Sequence, residues 1–205
     1  MHTQPGLRER KKQRTRETIA RVALELFAER GYQATTLDDI AEAAEVSTRT
    51  IFSYYASKED ILFSDFPAIK AALARALDER PEDKDALDTV RDFILSFEKD
   101  DLHPRRVQVV RSDVTLHGRE RARLSELAEI VAAAIARDLN AASDDLRPQL
   151  VAASLIAAFE AFDKRPDTGH APEDMAALMD PVFAFLRGGL AAMTTPIAKK
   201  RQARS

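Results

Sequence analysis

Apolar residues recur every three or four positions along most of this chain, and this spacing constrains the fold more than any other feature. The first such stretch forms one stripe along a helix: Ile19, Val22, Ala23, Leu26 and Phe27. No segment shows the alternation typical of a half-buried strand, and the 205 residues include only 6 glycines. The sequence therefore predicts an all-α protein of about nine helices, and its 45% apolar residues are enough to bury a sizeable core.

Turn and cap residues set the predicted helix boundaries. Gly31 is expected to end the first helix with a C-cap, and Ser57 opens a segment with the pattern of a capping box. Pro67 is expected to kink or interrupt that segment, and Gly118 to close a later one. The predicted helices span about 8–30, 36–44, 47–55, 58–79, 85–99, 105–116, 119–141, 146–163 and 173–194.

Composition excludes several classes of site. The chain has no cysteine, so disulfides, thiolate nucleophiles and cysteine-ligated metals are absent. Its 4 histidines are scattered and lie in no catalytic or metal-binding motif, so an enzyme is the disfavoured alternative and we expect no cofactor and no metal. No apolar run approaches the length of a membrane span, and no secretory signal begins the chain, which predicts a soluble cytoplasmic protein without membrane contact.

The net charge of -3 conceals a strong asymmetry. Residues 1–21 contain seven bases and two acids, a net of +5, and residues 199–205 contain four bases and no acid. The rest of the chain must then carry a net charge of -12. A basic end on an acidic body indicates contact with a polyanion such as nucleic acid at that end, although basic ends also serve simply as solubilising segments.

Residues 36–58 have the spacing of a helix-turn-helix. Ala41 is small where two helices must approach, and Val46 is suited to plug the turn between them. On a helical wheel Ile51 and Tyr55 lie about 40° apart and are expected to face the core. The opposite arc is polar and can donate to base edges and phosphates in a major groove: Arg49, Thr50, Ser53 and Tyr54. A small polar helix of any all-α protein is the alternative interpretation.

The same stretch closely resembles the DNA-binding region of the tetracycline-repressor (TetR) family. Four segments match at fixed spacing, within a resemblance that covers residues 10–65: 27–32 (FAERGY), 35–41 (TTLDDIA), 44–50 (AEVSTRT) and 52–59 (FSYYASKE). The resemblance implies a homodimeric, ligand-responsive transcription regulator, usually a repressor. It also implies an N-terminal three-helix helix-turn-helix domain at 1–57, a helical-bundle domain for ligand binding and dimerisation at 58–197, and a basic disordered tail at 198–205.

The resemblance also implies roles for individual residues. Thr36, Tyr54 and Lys58 are expected to hold phosphates, and Arg49 to read guanine. The other positions expected to face the groove are Ser47, Thr48, Thr50, Phe52 and Ser53. The bases expected to touch the DNA backbone, or to enter the minor groove as an arm, are Arg10, Lys11, Arg14 and Arg16.

Two positions depart from the family pattern. Glu45 stands where glycine is common in the turn, and a left-handed conformation there would cost about 1 kcal/mol. Phe52 stands where tyrosine is frequent, so a polar contact is lost while apolar contact with a thymine methyl is retained.

The remaining helices are expected to form a dimer interface. The last two long helices, about 146–163 and 173–194, are densely apolar, and two from each subunit can form a four-helix interface. The alternative is that these apolar faces complete the core of a single subunit.

An effector is expected to bind between the middle helices. The residues that could line an apolar pocket are Phe63, Phe66, Phe93, Phe97, Val110, Val114, Leu127 and Val131, unless they are ordinary core. A possible anion clamp consists of Arg105, Arg106, Arg111, Arg119, Arg121 and Arg123. With segments 124–127 and 145–150, these arginines resemble the part of the family whose effector domain is described as acyl-CoA-like.

The sequence thus predicts a regulator, most simply a repressor, that leaves a palindromic double-stranded DNA operator when a small hydrophobic effector binds. Two alternatives stay open: a nonspecific architectural DNA-binding protein, and a helical small-molecule-binding protein without a switch. An architectural protein would usually be basic overall, whereas the body of this chain is acidic.

Overall fold

The computed structural model describes residues 6–96, 102–163 and 172–194. These residues form ten α-helices and one 3-10 helix, and no strand occurs among them. The helices are α1 Leu7–Arg30, α2 Leu37–Ala43, α3 Thr48–Phe52, α4 Lys58–Leu62, α5 Phe66–Asp78, α6 Ala86–Ser96, α7 Leu102–Ser112, α8 His117–Asp138, α9 Arg147–Asp163 and α10 Pro172–Thr194, with the 3-10 helix at Val114–Leu116. The all-α prediction is confirmed.

Two boundaries differ from their predictions. The segment predicted at 58–79 divides into α4 and α5, with Pro67 at the second position of α5, where a missing N–H leaves no helical hydrogen bond unmade. Gly118 was wrongly predicted to close a helix, since it lies in the first turn of α8. Asp113 ends α7 instead, and its side chain accepts a hydrogen bond from the Thr115 amide (2.9 Å) to open the 3-10 helix.

The chain forms two compact units. The first contains residues 1–72 and 97–123, and the second contains residues 73–96 and 124–205. The predicted boundary at residue 57 therefore differs from the observed division. The reason is that α1 packs on α7 as well as on α2 and α4, so Val109, Val110 and Leu116 share one core with Ile19 and Phe27.

The second unit has its own core, built from α6, α8, α9, α10 and the end of α5. Its buried side chains include Leu77, Leu87, Ile135, Leu155, Met179 and Phe183. Ion pairs at its surface join α10 to α6 and to the residue that precedes α6: Arg187 with Asp85 and Asp88, and Arg91 with Asp180.

One stretch of α10 is apolar over a length at which the sequence analysis expected no membrane span. Ala176–Met193 is long and apolar enough to cross a membrane by length and composition, with a mean hydropathy of 1.3, and 17% of its residues are buried. Arg187 and Asp180 lie within this stretch and form ion pairs with other residues of the second unit. Core helices of soluble proteins can be equally long and apolar, so a single stretch of this kind is weak evidence for a membrane span.

Glu45 adopts the left-handed conformation that its place in the turn requires, with φ of 54°. We expect Glu45→Gly to stabilise the protein by about 0.5–1 kcal/mol, because the strain of an L-residue in this region exceeds the entropy that glycine adds to the unfolded chain. Asn140, which also has a positive φ (45°), is the matched control, and Asn140→Gly should gain less because asparagine tolerates this conformation. Urea unfolding of both variants measures the difference, and a destabilised Glu45→Gly would contradict the prediction.

Asp85 makes the stability of the second unit depend on pH. Its partial burial alone would raise the pKa of the carboxyl, but hydrogen bonds from Arg187 (2.5 and 3.0 Å) and from the Asp88 amide (2.8 Å) outweigh it and hold the pKa below its ordinary value of 3.8. A lowered carboxyl pKa adds stability that is present above 3.8 and lost as the pH falls through the folded pKa.

We therefore expect Arg187→Gln to raise the pKa of Asp85 and to destabilise the protein by roughly 0.2–1 kcal/mol at neutral pH, since the pair is partly exposed. The difference from the unmodified protein should shrink as the pH falls below 3.8. Carboxyl chemical shifts and urea unfolding between acidic and neutral pH measure both effects. A destabilisation that is the same at every pH would contradict this account.

Candidate DNA-binding surface

Hydrogen-bonded caps fix the two short helices of the helix-turn-helix. The Ser47 hydroxyl accepts from the Thr50 amide (3.0 Å) and starts α3. In the turn, the Val46 amide donates to the Ala41 carbonyl (2.9 Å). Ile51 is fully buried and Tyr55 is 4% exposed, so the predicted inner face of this segment is confirmed.

The opposite side of α3 lies open to solvent. Arg49, Phe52 and Ser53 are exposed, and Thr48, Thr50 and Tyr54 are half-buried. Phe52 is 57% exposed, although it is a large apolar side chain. A free aromatic ring between polar neighbours is suited to contact with a thymine methyl or a deoxyribose.

Most hydroxyl groups on this face already donate within the protein. Thr48 donates to Asp38 (2.6 Å), Ser53 donates to the Thr50 carbonyl (2.6 Å), and the Ser47 and Thr50 hydroxyls are bonded to each other (2.8 Å). Each of these donors must exchange a hydrogen bond to reach DNA, which reduces the net gain. The Arg49 guanidinium has no hydrogen-bond or ion-pair partner among the described residues, so it is the donor most ready for a base or phosphate.

Thr36 is the N-cap residue of α2. Its hydroxyl donates to Asp39 (2.6 Å) and accepts from the Asp39 amide (3.1 Å), which completes a capping box at the start of α2. The hydroxyl and amide of Thr36 hold the pKa of the Asp39 carboxyl below its ordinary value. The Thr36 hydroxyl must give up its bond to Asp39 to donate to a phosphate, and that predicted contact stays a prediction.

Lys58 is also turned toward the protein. Its Nζ donates to the carbonyls of Tyr32 (2.9 Å) and Thr35 (2.8 Å) and lies 4.7 Å from the centre of the Tyr32 ring. Burial, followed by the charge of Glu59, raises the pKa of Tyr32 to about 12. The ammonium of Lys58 therefore secures the loop between α1 and α2 through two of its three N–H donors, and its predicted contact with a phosphate stays a prediction.

The predicted N-terminal arm is part of a helix. Arg10, Lys11, Arg14 and Arg16 all lie within α1 and are exposed. The Arg16 guanidinium lies 5.2 Å from the centre of the Tyr55 ring, and the Tyr55 hydroxyl donates to the Arg16 carbonyl (3.0 Å). These contacts place the basic part of α1 next to the segment that follows α3.

Comparison with known proteins agrees with this geometry. A family model described as bacterial regulatory proteins, tetR family, matches residues 19–64, and a second model, described as MftR C-terminal domain, matches residues 85–191. The transcriptional regulator TcmR of Streptomyces glaucescens is 38% identical over 164 residues, which cover 73% of this chain and 71% of TcmR. The chain belongs to the TetR family of bacterial transcription regulators.

A second relative supports membership of the TetR family, and a solved structure shares the fold. MftR of Mycobacterium tuberculosis, named as a regulator of mycofactocin biosynthesis, is 31% identical over 185 residues, covering 86% of this chain and 93% of MftR. The NalD repressor of Pseudomonas aeruginosa shares the fold, with a TM-score of 0.61 at 20% identity over 85% of this chain and 96% of NalD. These proteins are regulators rather than enzymes, in agreement with the prediction.

The residues predicted to bind an effector in this TetR-family protein divide between the two cores. Phe63 and Val110 are buried in the first unit, and Val131 is buried in the second, where Phe93 and Leu127 pack at the edge of the core. Phe66 is half-buried in the first unit beside Arg123, and Phe97 lies outside the described residues. Val114 lies in the 3-10 helix and is 76% exposed, so it belongs to neither core.

Three of the six arginines that the sequence marked as an anion clamp secure the connection between α4 and α5. Arg106 donates to the Leu62 carbonyl (2.9 Å) and pairs with Asp65. Arg119 pairs with Glu59 and Asp60, and Arg123 lies 3.6 Å from the centre of the Phe63 ring. Their charges are therefore engaged within the first unit, and an anion would have to compete with these partners.

The second unit contains a cleft of about 670 Å³ beside the segment before α6. Its lining is mostly charged: Asp78, Arg80, Glu82, Asp83, Lys84, Asp85, Asp88, Arg137 and Asp138, with Leu77 and Pro81. This is not the apolar pocket that the sequence predicted.

Sequence analysis did not predict the hydrogen bonds made by Asp38 and Gln33 in the first unit. Asp38 accepts the Thr48 hydroxyl, and Gln33 donates to Asp113 (2.8 Å) and Thr115 (3.0 Å). The sequence offered a hint of the Asp38 contact, because Asp38 is an acid in the first turn of α2 and Thr48 begins the next helix. The Gln33 contact spans 80 residues and had none.

Proposed function

We propose that this protein is a ligand-responsive repressor that binds a palindromic operator as a homodimer and is released by a small hydrophobic effector. The observation that supports DNA reading most directly is the open side of α3, where Arg49 and Phe52 are exposed and uncommitted among the described residues. Such a regulator acts in the cytoplasm, where the chromosome lies.

In this proposal α3 enters the major groove. Arg49 donates to O6 and N7 of a guanine, and the Phe52 ring contacts a thymine methyl. Tyr54 and the hydroxyl groups of Ser47, Thr48, Thr50 and Ser53 bind phosphates or base edges after exchanging their internal hydrogen bonds. Arg14 and its basic neighbours on α1 bind the backbone.

The dimer forms through α9 and α10. Their large exposed apolar side chains are Leu150 (52% exposed), Phe185 (70% exposed) and Met193 (42% exposed), and Ala153, Ala157 and Gly188 leave room for a second helix. Other predicted interface residues, such as Leu155 and Phe183, are buried in the core of their own subunit. The interface therefore uses the outer faces of the two helices.

The effector binds within the helical bundle that follows the helix-turn-helix of α2 and α3. A fold relative, FadR of Thermus thermophilus, was solved with lauroyl-CoA; its TM-score is 0.57 at 24% identity over 85% of this chain and 94% of FadR. An acyl-CoA-like effector would agree with that relative and with the apolar side chains of Phe93, Leu127 and Val131 in the second unit. Helices α5 and α8 have residues in both units, so they are the connection through which effector and operator weaken each other.

Selection of bound duplexes from a random pool tests the proposal. A repressor of this kind should recover a palindrome and prefer it to random duplex by about 10³ or more at matched salt. Adding lauroyl-CoA or free fatty acid to the selected complex then tests release. Equal affinity for every duplex would indicate an architectural DNA-binding protein, and operator affinity unchanged by every bound small molecule would remove the switch.

A further inference from the structure

A hydrogen bond between Asp38 and Thr48 joins α2 to the open side of α3. The Thr48 hydroxyl donates to Asp38 Oδ1 at 2.6 Å. Asp38 lies in the first turn of α2 and is exposed, and Thr48 is the first residue of α3 and is half-buried. In a helix-turn-helix the N-terminal residues of the second helix contact base edges. The bond therefore lies where α3 would meet the bases.

The direction of this bond leaves the Thr48 oxygen as an acceptor. A carboxylate has no hydrogen to give, so the Thr48 hydroxyl must be the donor. The length of the bond is typical of a hydroxyl bonded to a charged oxygen, which is roughly twice as strong as a neutral hydrogen bond, so another acceptor does not easily replace Asp38. The Thr48 oxygen keeps its lone pairs, and no donor among the described residues occupies them.

A second threonine of the helix-turn-helix bonds to an acid but has a different role. The Thr36 hydroxyl donates to Asp39 (2.6 Å) and its oxygen accepts from the Asp39 amide (3.1 Å), so both functions of this hydroxyl are used in the cap of α2. The cap of α3 is provided by Ser47 instead of Thr48. Capping therefore accounts for the Thr36 bond and leaves the bond between Asp38 and Thr48 unexplained.

An oxygen that only accepts distinguishes the bases of DNA. In the major groove cytosine presents its N4 amino donor, whereas thymine presents the O4 acceptor and guanine presents the acceptors O6 and N7. Adenine presents an N6 amino donor beside the N7 acceptor, so it matches less well than cytosine. A hydroxyl that is free to turn can serve either a donor or an acceptor and does not discriminate. A phosphate offers only acceptors, and the negative charge of Asp38 repels it.

We infer that the Thr48 oxygen accepts a hydrogen bond from the N4 amino group of a cytosine in the operator, and that Asp38 is the positioning residue that makes this contact selective. The inference rests on the proposed function and narrows the role of Thr48, which keeps its bond to Asp38 when DNA binds. Arg49, the next residue, has only donors to offer to guanine. Neighbouring positions of α3 then select bases of opposite hydrogen-bonding character.

Removal of one amino group from the operator tests the contact of Thr48. Pyrimidin-2-one deoxyriboside lacks the N4 amino group of cytosine but still pairs with guanine, and it can replace each cytosine of the selected half-site in turn. At one position, replacement in both half-sites should weaken binding of the unmodified protein at least about tenfold. Thr48→Val keeps the shape of the side chain without its oxygen and should bind the two duplexes equally well. Thr48→Ser, which keeps the hydroxyl, should again distinguish them.

An Asp38→Ala variant tests the positioning role. Without the carboxylate the Thr48 hydroxyl can turn and donate, so the preference for cytosine over thymine at that position should fall about tenfold. Affinity for a random duplex should rise, because the acid no longer repels phosphates. The matched control Glu42→Ala removes another exposed acid of α2 and should keep the preference. An unchanged preference in Asp38→Ala would overturn the role of Asp38.

The remaining outcomes separate this inference from the proposed function. If Thr48→Val weakens binding to every duplex by the same factor, Thr48 binds a phosphate and the inference is overturned. A protein that selects a palindrome in which no cytosine replacement distinguishes Thr48→Val from the unmodified protein would contradict the inference alone. A site that is not palindromic but shows the cytosine contact would support the inference and contradict the homodimeric repressor. Equal affinity for all sequences would contradict both.

Discussion

An Arg49→Ala variant is expected to bind its selected operator about 1–3 kcal/mol more weakly, which is roughly a 5- to 150-fold loss. Arg49 is exposed on α3 and its guanidinium has no partner among the described residues, so binding to guanine gives up no hydrogen bond to them. Fluorescence titration at fixed salt measures the loss. Substituting each operator base pair in turn should show that the variant no longer discriminates at one position in each half-site.

Two comparisons distinguish base reading from simple loss of charge. Arg75→Ala removes an exposed arginine of α5 and should leave operator affinity within about twofold, because a distant exposed charge is screened by salt. The midpoint of thermal unfolding should be unchanged in both variants. An Arg49→Ala protein that weakens binding to operator and random duplex equally would show that Arg49 contacts a phosphate and does not read a base.

A Phe185→Glu variant is expected to be monomeric and to bind the palindrome at least about 100-fold more weakly. Phe185 is 70% exposed on the outer face of α10, and a twofold interface would bury it in both subunits. Burying two unpaired carboxylates costs several kcal/mol, which outweighs the stability of a typical helical interface. Sedimentation velocity gives the oligomeric state, and titration with the full palindrome and with a single half-site gives the affinities.

The matched control is Val114→Glu, which makes a similar change at an exposed apolar residue of the first unit. That variant should remain dimeric. A Phe185→Glu protein that is still a dimer would place the interface elsewhere on the chain. A monomer that binds the palindrome with full affinity would show that recognition of the operator does not need two subunits.

Cap residues, a glycine and a proline made the boundaries of the first helices predictable from the sequence. Ser57 caps the helix that it was expected to open, and Ser47 caps the helix predicted from about residue 47. Gly31 has the positive φ of 87° that ends α1. Pro67 marked the break between α4 and α5 because a proline acts on its own backbone, whatever surrounds it. Gly118 gave the wrong boundary, since glycine is tolerated in a first helical turn and the neighbouring Asp113 provided the stronger stop.

Contacts between helices determine the hydrogen-bond partners and the division of the apolar residues between two cores, and the sequence pattern does not predict either. A helical wheel separates the inner side of α3 from its outer side, but it does not show that Thr48 donates to Asp38 or that Lys58 donates to the loop before α2. The apolar residues predicted to line a pocket also follow helical spacing, which is the same for a filled core and for a cavity. Their division between two cores depends on how α7 and α8 pack, and no local pattern records that packing.

Because α1 packs on α7, the fragments of this protein that can fold alone are limited. A fragment that stops at residue 57 would leave the α1 surface opposite Val109 and Leu116 in water, so it should be prone to aggregate rather than behave as a free-standing module. Grafting this operator specificity onto another regulator would require residues 102–116 to travel with the first 72. Residues 1–72 and 102–116 are two separate pieces of the chain, so such an exchange requires three cuts in the gene, not one.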